Sequence, residues 1–119
     1  NMATMFGYLR TSWTMRVDLL ADLVCRLLNH MAANGATSVT PSLLASEQNM
    51  ERLPWIKADD FNPGYLQRSL HLMPKQGSQA PWTFCNDYYL ERDSLPALDL
   101  DEPHLVYTSA AHEAVANAG

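Results

Sequence analysis

Glycine is scarce in this chain, five residues in 119, and the five stand far apart at Gly7, Gly35, Gly64, Gly77 and Gly119. That spacing excludes G-x-G-x-x-G, the Walker loop and G-x-S-x-G, each of which needs small residues close together so that backbone can approach a phosphate or bend sharply. The chain carries no phosphate-binding loop of its own. Cysteine is scarcer still, with Cys25 and Cys85 far apart, and His30, His71, His104 and His112 make no C-x-x-C or H-x-x-x-H pair. No metal site is expected. Positive charge is also short: eight Lys and Arg stand against thirteen Asp and Glu, for a net charge of −5 and a pI near 5.1. Only Arg10, Arg16 and Arg26 cluster at all, so no nucleic-acid partner is expected, because binding to phosphates rests on clustered cations. Long apolar runs are missing too. Arg16, Asp18, Asp22 and Arg26 interrupt the longest helical stretch, and a membrane span needs about 18 mostly apolar residues. The opening Asn1-Met2 puts no basic stretch ahead of an apolar core, so no secretory signal is expected and cytoplasm is the default location. A chain of this length buries roughly two thirds of its unfolded surface, enough for one modest core.

What is present is organised around one helix. Over residues 14–33, Val17, Leu20, Ala21, Val24, Leu27, Leu28 and Met31 recur at helical spacing, while Asp18, Asp22 and Arg26 form a polar stripe. Ser12 or Thr11 can cap its start, and Asn34-Gly35 ends it in the manner of a left-handed cap. Leu19, Leu23 and Cys25 widen the apolar arc beyond what a chain this short can easily cover, so the helix expects cover on more than one side. Two cysteines allow one disulfide in an oxidising compartment, but the place of Cys25 on the apolar side predicts a buried free thiol.

Residues 2–9 are apolar and bounded by Gly7, which predicts a short buried strand running into a turn. Residues 36–49 read as a loop or weak strand. The turn Asn62-Pro63-Gly64 opens a short helix over 65–72 that Pro74 ends, and residues 75–82 read as polar and turn-like. Asp59-Asp60 reads as a solvated face. His71 has no acidic neighbour in sequence to assign it a role, and Trp55, Trp82, Tyr88 and Tyr89 read as core or interface aromatics. Residues 81–119 hold one basic against seven acidic residues. Asp99, Asp101 and Glu102, with Pro96 and Pro103 nearby, predict an irregular solvated tail over 93–119 whose Ala-rich end forms at most one helical turn. The fold class expected is α+β, mainly helical, with a short strand, one long helix, short helices and an irregular C-terminal region.

Two blocks carry a family resemblance. Gly7-Tyr8, Ser12-Trp13-Thr14, Arg16, Asp18-Leu19 and the run from Cys25 to Met31 are followed by Pro63-Gly64-Tyr65, Arg68-Ser69-Leu70, Leu72, Pro74-Lys75-Gln76-Gly77-Ser78 and Pro81-Trp82. In order and spacing they resemble the C-terminal part of class B flavoprotein monooxygenases, in the Baeyer–Villiger branch that includes the mycobacterial ethionamide-activating enzymes. The resemblance covers residues 1–92 and leaves 93–119 as an acidic tail. It implies that this segment completes an FAD-binding domain, with Gly7, Tyr8, Ser12, Trp13 and Thr14 beside the flavin and the long helix starting at the flavin's edge. It also implies a reaction in which NADPH reduces FAD and one oxygen atom of dioxygen passes to a ketone or a soft heteroatom.

The phosphate-binding glycines, the NADPH site and the catalytic arginine of such enzymes would lie upstream of Asn1, in FAD and NADPH domains that would be this segment's partners. No residue here is assigned a catalytic role, and the chain alone is expected to bind no cofactor and to be inactive. Arg10 stands where the family usually has a small polar residue or proline, and it is not the catalytic arginine. The alternative is a free-standing, non-enzymatic module derived from such an enzyme, which binds a partner protein or uses its apolar helix face to form a homo-oligomer.

Overall fold

The computed structural model describes residue 3, residues 5–57 and residues 63–109. The Asp59-Asp60 pair, Asn62 of the expected turn and nearly all of the Ala-rich end lie outside the described residues. The chain divides into two compact units, Asn1–Ala45 with Asp87–Gly119, and Ser46–Asn86.

The first unit is built on helix α1, Trp13–Ala33. Its interior is rich in Leu, Ala, Met and Arg, which lose little rotamer freedom in a helix. Its end is the one the sequence announces. Gly35 takes φ 67, in the left-handed region; the N–H of Ala36 donates to Met31 O at 2.9 Å and that of Gly35 to Ala32 O at 3.4 Å, the bond pair of a Schellman stop. The start differs in one respect. Ser12 holds the N-cap position but makes no side-chain cap bond, and its hydroxyl instead pairs with that of Thr14 at 3.0 Å.

Strands β1, Ser38–Pro41, and β4, Leu105–Thr108, pair antiparallel with Ser38 opposite Thr108 and Pro41 opposite Leu105. The Ser38 and Thr108 hydroxyls share a hydrogen bond across the pair. Helix α3, Tyr88–Ser94, starts at Asp87, whose carboxylate accepts from the N–H groups of Tyr89 and Leu90. Its C-terminal side is tied to α1 by Arg26, which donates to Leu95 O at 2.8 Å and to Leu98 O at 2.7 Å. A cation near the last carbonyls of a helix is favourably placed.

Three expectations for this unit are corrected. The strand over residues 2–9 is not formed among the described residues of that segment; the contacts that hold it are with helices instead, Arg16 of α1 donating to Phe6 O and Glu91 of α3 accepting from the Tyr8 hydroxyl. The region from Asp93 onward is not irregular throughout, since it contains the end of α3 and all of β4. The apolar and aromatic run Leu105-Val106-Tyr107 suits a strand, but four residues give too short an alternation to announce one. Cys25 is a free thiol but exposed rather than buried. The cause is the width of the apolar arc: no residue of α1 is buried, so the chain leaves part of that arc uncovered.

The second unit pairs β2, Arg52–Pro54, with β3, Lys75–Gly77, antiparallel. The polar stretch over 75–82 is thus a strand followed by a turn, closed by the N–H of Gly77 donating to Trp82 O at 2.8 Å. Helix α2, Gly64–Ser69, continues as a 3₁₀ turn over Leu70–Leu72 and stops before Pro74, with Met73 already extended at ψ 155, as the residue before a proline must be. The interior of this unit holds Ile56 and Leu66, 3% and 6% exposed, each contributing about 1.5–3 kcal/mol by burial. The Gln76 side chain donates to Pro54 O and Trp55 O and accepts from the N–H of Phe84. Glu47, also buried, accepts from the indole N–H of Trp82 at 3.1 Å. The described residues form a small α+β fold of three helices and short strands. None of those helices is long and apolar enough to cross a membrane.

Candidate functional site

The residues singled out by sequence gather at the start of α1. Gly7 is buried against Trp13: a Cβ there would lie 2.5 Å from Trp13 Cγ and 2.7 Å from its backbone oxygen. Only hydrogen fits, so this glycine has a packing reason independent of any ligand. The Trp13 ring takes the edge of Phe6 at a centroid distance of 4.7 Å and remains 46% exposed. Thr11, Ser12 and Thr14 are exposed around it. With Ser12 making no side-chain cap bond, the site presents a half-open aromatic surface, three hydroxyls and the positive end of a long helix dipole.

Tyr8 lies apart from that surface. It is 3% exposed, and its hydroxyl donates to Glu91 Oε2 at 2.7 Å. Arg16, one turn into α1, makes a two-point pair with the same carboxylate: Nε donates to Oε2 and Nη2 to Oε1, both at 2.7 Å. Its remaining nitrogen, Nη1, donates to Phe6 O at 2.9 Å. The Arg16 guanidinium also lies 5.8 Å from the centroid of the Tyr8 ring, and Tyr88 stands edge-on to that ring at 6.2 Å. The Arg16 and Glu91 side chains are 13% and 7% exposed. Gly7, Ser12, Trp13 and Thr14 therefore form one surface, while Tyr8 serves as an anchor beneath it. Sequence reasoning missed Glu91, because nothing local marks a carboxylate 75 positions from Arg16 as its partner. The available signal was Asp87 ahead of Tyr88-Tyr89-Leu90, an N-cap residue that opens the short helix carrying Glu91.

A planar, electron-rich group fits the exposed part of this surface. Trp13 offers a flat apolar contact, and the N–H groups of the helix start suit an edge that gathers negative charge. Tyr8, 3% exposed, lies behind that surface. The remaining polar clusters are of another kind. His30 Nε2 lies 3.1 Å from Asp101 Oδ1, and its ring stands 5.2 Å from that of Tyr107. Burial, with the charge of Asp101 adding to it, raises the Tyr107 phenol above its usual range, and its hydroxyl donates to Leu100 O at 2.8 Å. A hydrogen bond from Arg92 lowers the Asp93 carboxyl, in a pair fully on the surface. Among the described residues, no three His, Cys, Asp or Glu side chains gather as a metal would require.

Comparison with known proteins points one way. The chain is 37% identical over 118 residues to the FAD-containing monooxygenase EthA of Mycolicibacterium smegmatis, covering 99% of this chain and 23% of that protein. It is 40% identical over 95 residues to a probable FAD-binding monooxygenase, AlmA, of an Acinetobacter species, covering 80% of this chain and 18% of the relative. A putative FAD-containing monooxygenase, MymA, of Mycobacterium tuberculosis is 34% identical over 113 residues, covering 95% and 22%. The chain thus spans about a fifth of the length of the curated relatives it matches. No family model and no solved structure matches it.

Proposed function

Because the chain is, over about a fifth of their length, a relative of the EthA-type FAD-containing monooxygenases, we propose that it is the part of such an enzyme that closes against the flavin. In this reading residues 1–92 are the C-terminal segment that completes the FAD-binding domain, and 93–119 are its acidic tail. The partners are the FAD and NADPH domains of the same enzyme, located in the cytoplasm, and the reaction is transfer of one oxygen atom to a ketone or a soft heteroatom. The chain alone does not catalyse it.

The observation that carries this reading is the exposed start of α1, where Ser12 makes no side-chain cap bond, beside half-exposed Trp13. When bound, FAD supplies the redox chemistry. The chain's own contribution is to hold and orient: Trp13 packs along the ring system, the first-turn N–H groups and the Ser12 and Thr14 hydroxyls face its polar edge, and Gly7 lets the preceding turn lie close on Trp13. Tyr8 acts from below, through the fold.

The test is to read the source DNA upstream of the Asn1 codon and assay the encoded polypeptide. An open frame continuing into G-x-G-x-x-G units, with NADPH oxidation that requires FAD and falls in a Trp13→Ala variant, is the expected outcome. A frame without such units, or a polypeptide that holds no FAD, would overturn the reading.

The second reading, a free-standing module that forms a homo-oligomer, is favoured by one observation: no residue of α1 is buried, and Leu28 is 58% exposed. Sedimentation separates the two, since a dimer that resists dilution and carries no flavin belongs to the module alone.

A further inference from the structure

Glu91 is buried, yet it joins three parts of its unit at one point. Its Oε2 accepts from the Tyr8 hydroxyl and from Arg16 Nε, and its Oε1 accepts from Arg16 Nη2. Through Arg16 Nη1 the same cluster reaches the backbone carbonyl of Phe6. The turn before α1 is thus held at Phe6 O and at the Tyr8 hydroxyl, on either side of Gly7, which has no room to move toward Trp13.

A buried ion pair is a poor way to add stability, because desolvation offsets the attraction and apolar residues of similar volume often do as well. Its distinctive property is direction. A two-point guanidinium–carboxylate pair with a third donor fixes angles that apolar packing leaves loose.

We propose that Glu91 is a positioning residue for the flavin-facing turn, holding residues 6–8 so that Trp13 and the first turn of α1 keep one geometry. The inference rests on the reading of that turn as a flavin edge. Glu91 does not touch the cofactor; it acts through Tyr8 and Arg16.

The test uses the encoded polypeptide that carries this chain, loaded with FAD. Four variants are compared with the parent: Tyr8→Phe, Glu91→Gln, the pair Arg16→Met with Glu91→Leu, and Trp13→Ala. The pair leaves no lone buried charge, and Tyr8→Phe removes one hydroxyl while keeping the ring, so both are designed to fold. The readouts are FAD affinity, visible circular dichroism of the bound flavin and the urea midpoint.

A positioning role gives Kd for FAD about tenfold weaker in Tyr8→Phe and in the pair. The flavin dichroism also changes, while the urea midpoint of the pair stays near the parent's. Parent-like affinity and dichroism in both, with Trp13→Ala altering them, would overturn the inference and leave the flavin-edge reading intact. If Trp13→Ala also changes nothing, or the parent binds no FAD, the flavin-edge reading falls and the inference falls with it.

Discussion

At Gly7 a methyl group would land on the indole of Trp13, and relieving such overpacking costs about 1–3 kcal/mol. Gly7→Ala is therefore expected to lower the urea-unfolding free energy by that amount, and a loss below about 0.5 kcal/mol would show that the turn relaxes freely. Glu91 is a sharper case. Removing it alone leaves the Arg16 guanidinium, 13% exposed, without its carboxylate, at a cost of about 3 kcal/mol, whereas exchanging both partners for apolar residues comes much closer to neutral. Equal losses in Glu91→Ala and in the paired Arg16→Met, Glu91→Leu variant would contradict the pair's assignment.

Tyr107 gives a signature in pH. Its phenol is raised, by burial first and by the charge of Asp101 second. The unfolded chain loses that proton near pH 10 while the folded chain keeps it. The stability from Tyr107 is therefore full below about pH 10 and is lost as pH rises toward the folded value. Tyr107→Phe should flatten the alkaline decline in urea midpoints, and an unchanged slope would show that the phenol is not protected.

Among the elements, what the sequence could announce was what local chemistry decides. Helix α1 was legible from its spacing, and its stop from Asn34-Gly35. Because Gly35 sits at φ 67, where an L side chain is strained, Gly35→Ala is expected to cost about 1 kcal/mol in thermal unfolding. A gain in stability would mean that the stop is not held by its left-handed residue. The break at Pro74 was legible for the same reason, since ring geometry restricts the residue before it.

Of the strands only β1 was foreshadowed, within the loop or weak strand read over 36–49; the others were not legible. Both pairs join short segments, and the partner of β1 is β4, distant in the chain, so no local window contains the reason for either. Helix α3 was missed because seven residues hold too little periodicity, although Asp87 marked its start. Asp87→Ala is expected to cost about 1 kcal/mol through loss of that cap, read from the same melting curves. The strand expected over residues 2–9 failed for the opposite reason, since apolar character alone does not supply a neighbour to pair with. Of the residues singled out together by sequence, Gly7, Ser12, Trp13 and Thr14 lie together at the start of α1, while the Glu91 anchor arises only when α3 packs on α1.

For the molecule as a whole, α1 carries more apolar surface than the chain covers. Cys25, on the exposed part of that arc, is expected to react at once with a thiol reagent in the chain alone and, under the proposed function, to slow in a polypeptide that also carries the FAD domain. Slow reaction in the chain alone would contradict its exposure. The match to about a fifth of each relative agrees with a helix that expects cover from elsewhere. Under the proposed function the start of α1 meets the flavin, and amide hydrogen exchange on the encoded polypeptide, with and without FAD, reads that contact. Residues 7–14 are expected to gain protection when FAD is added, while β2 and β3 exchange as before. Unchanged exchange at 7–14, with protection gained elsewhere in the chain, would contradict it.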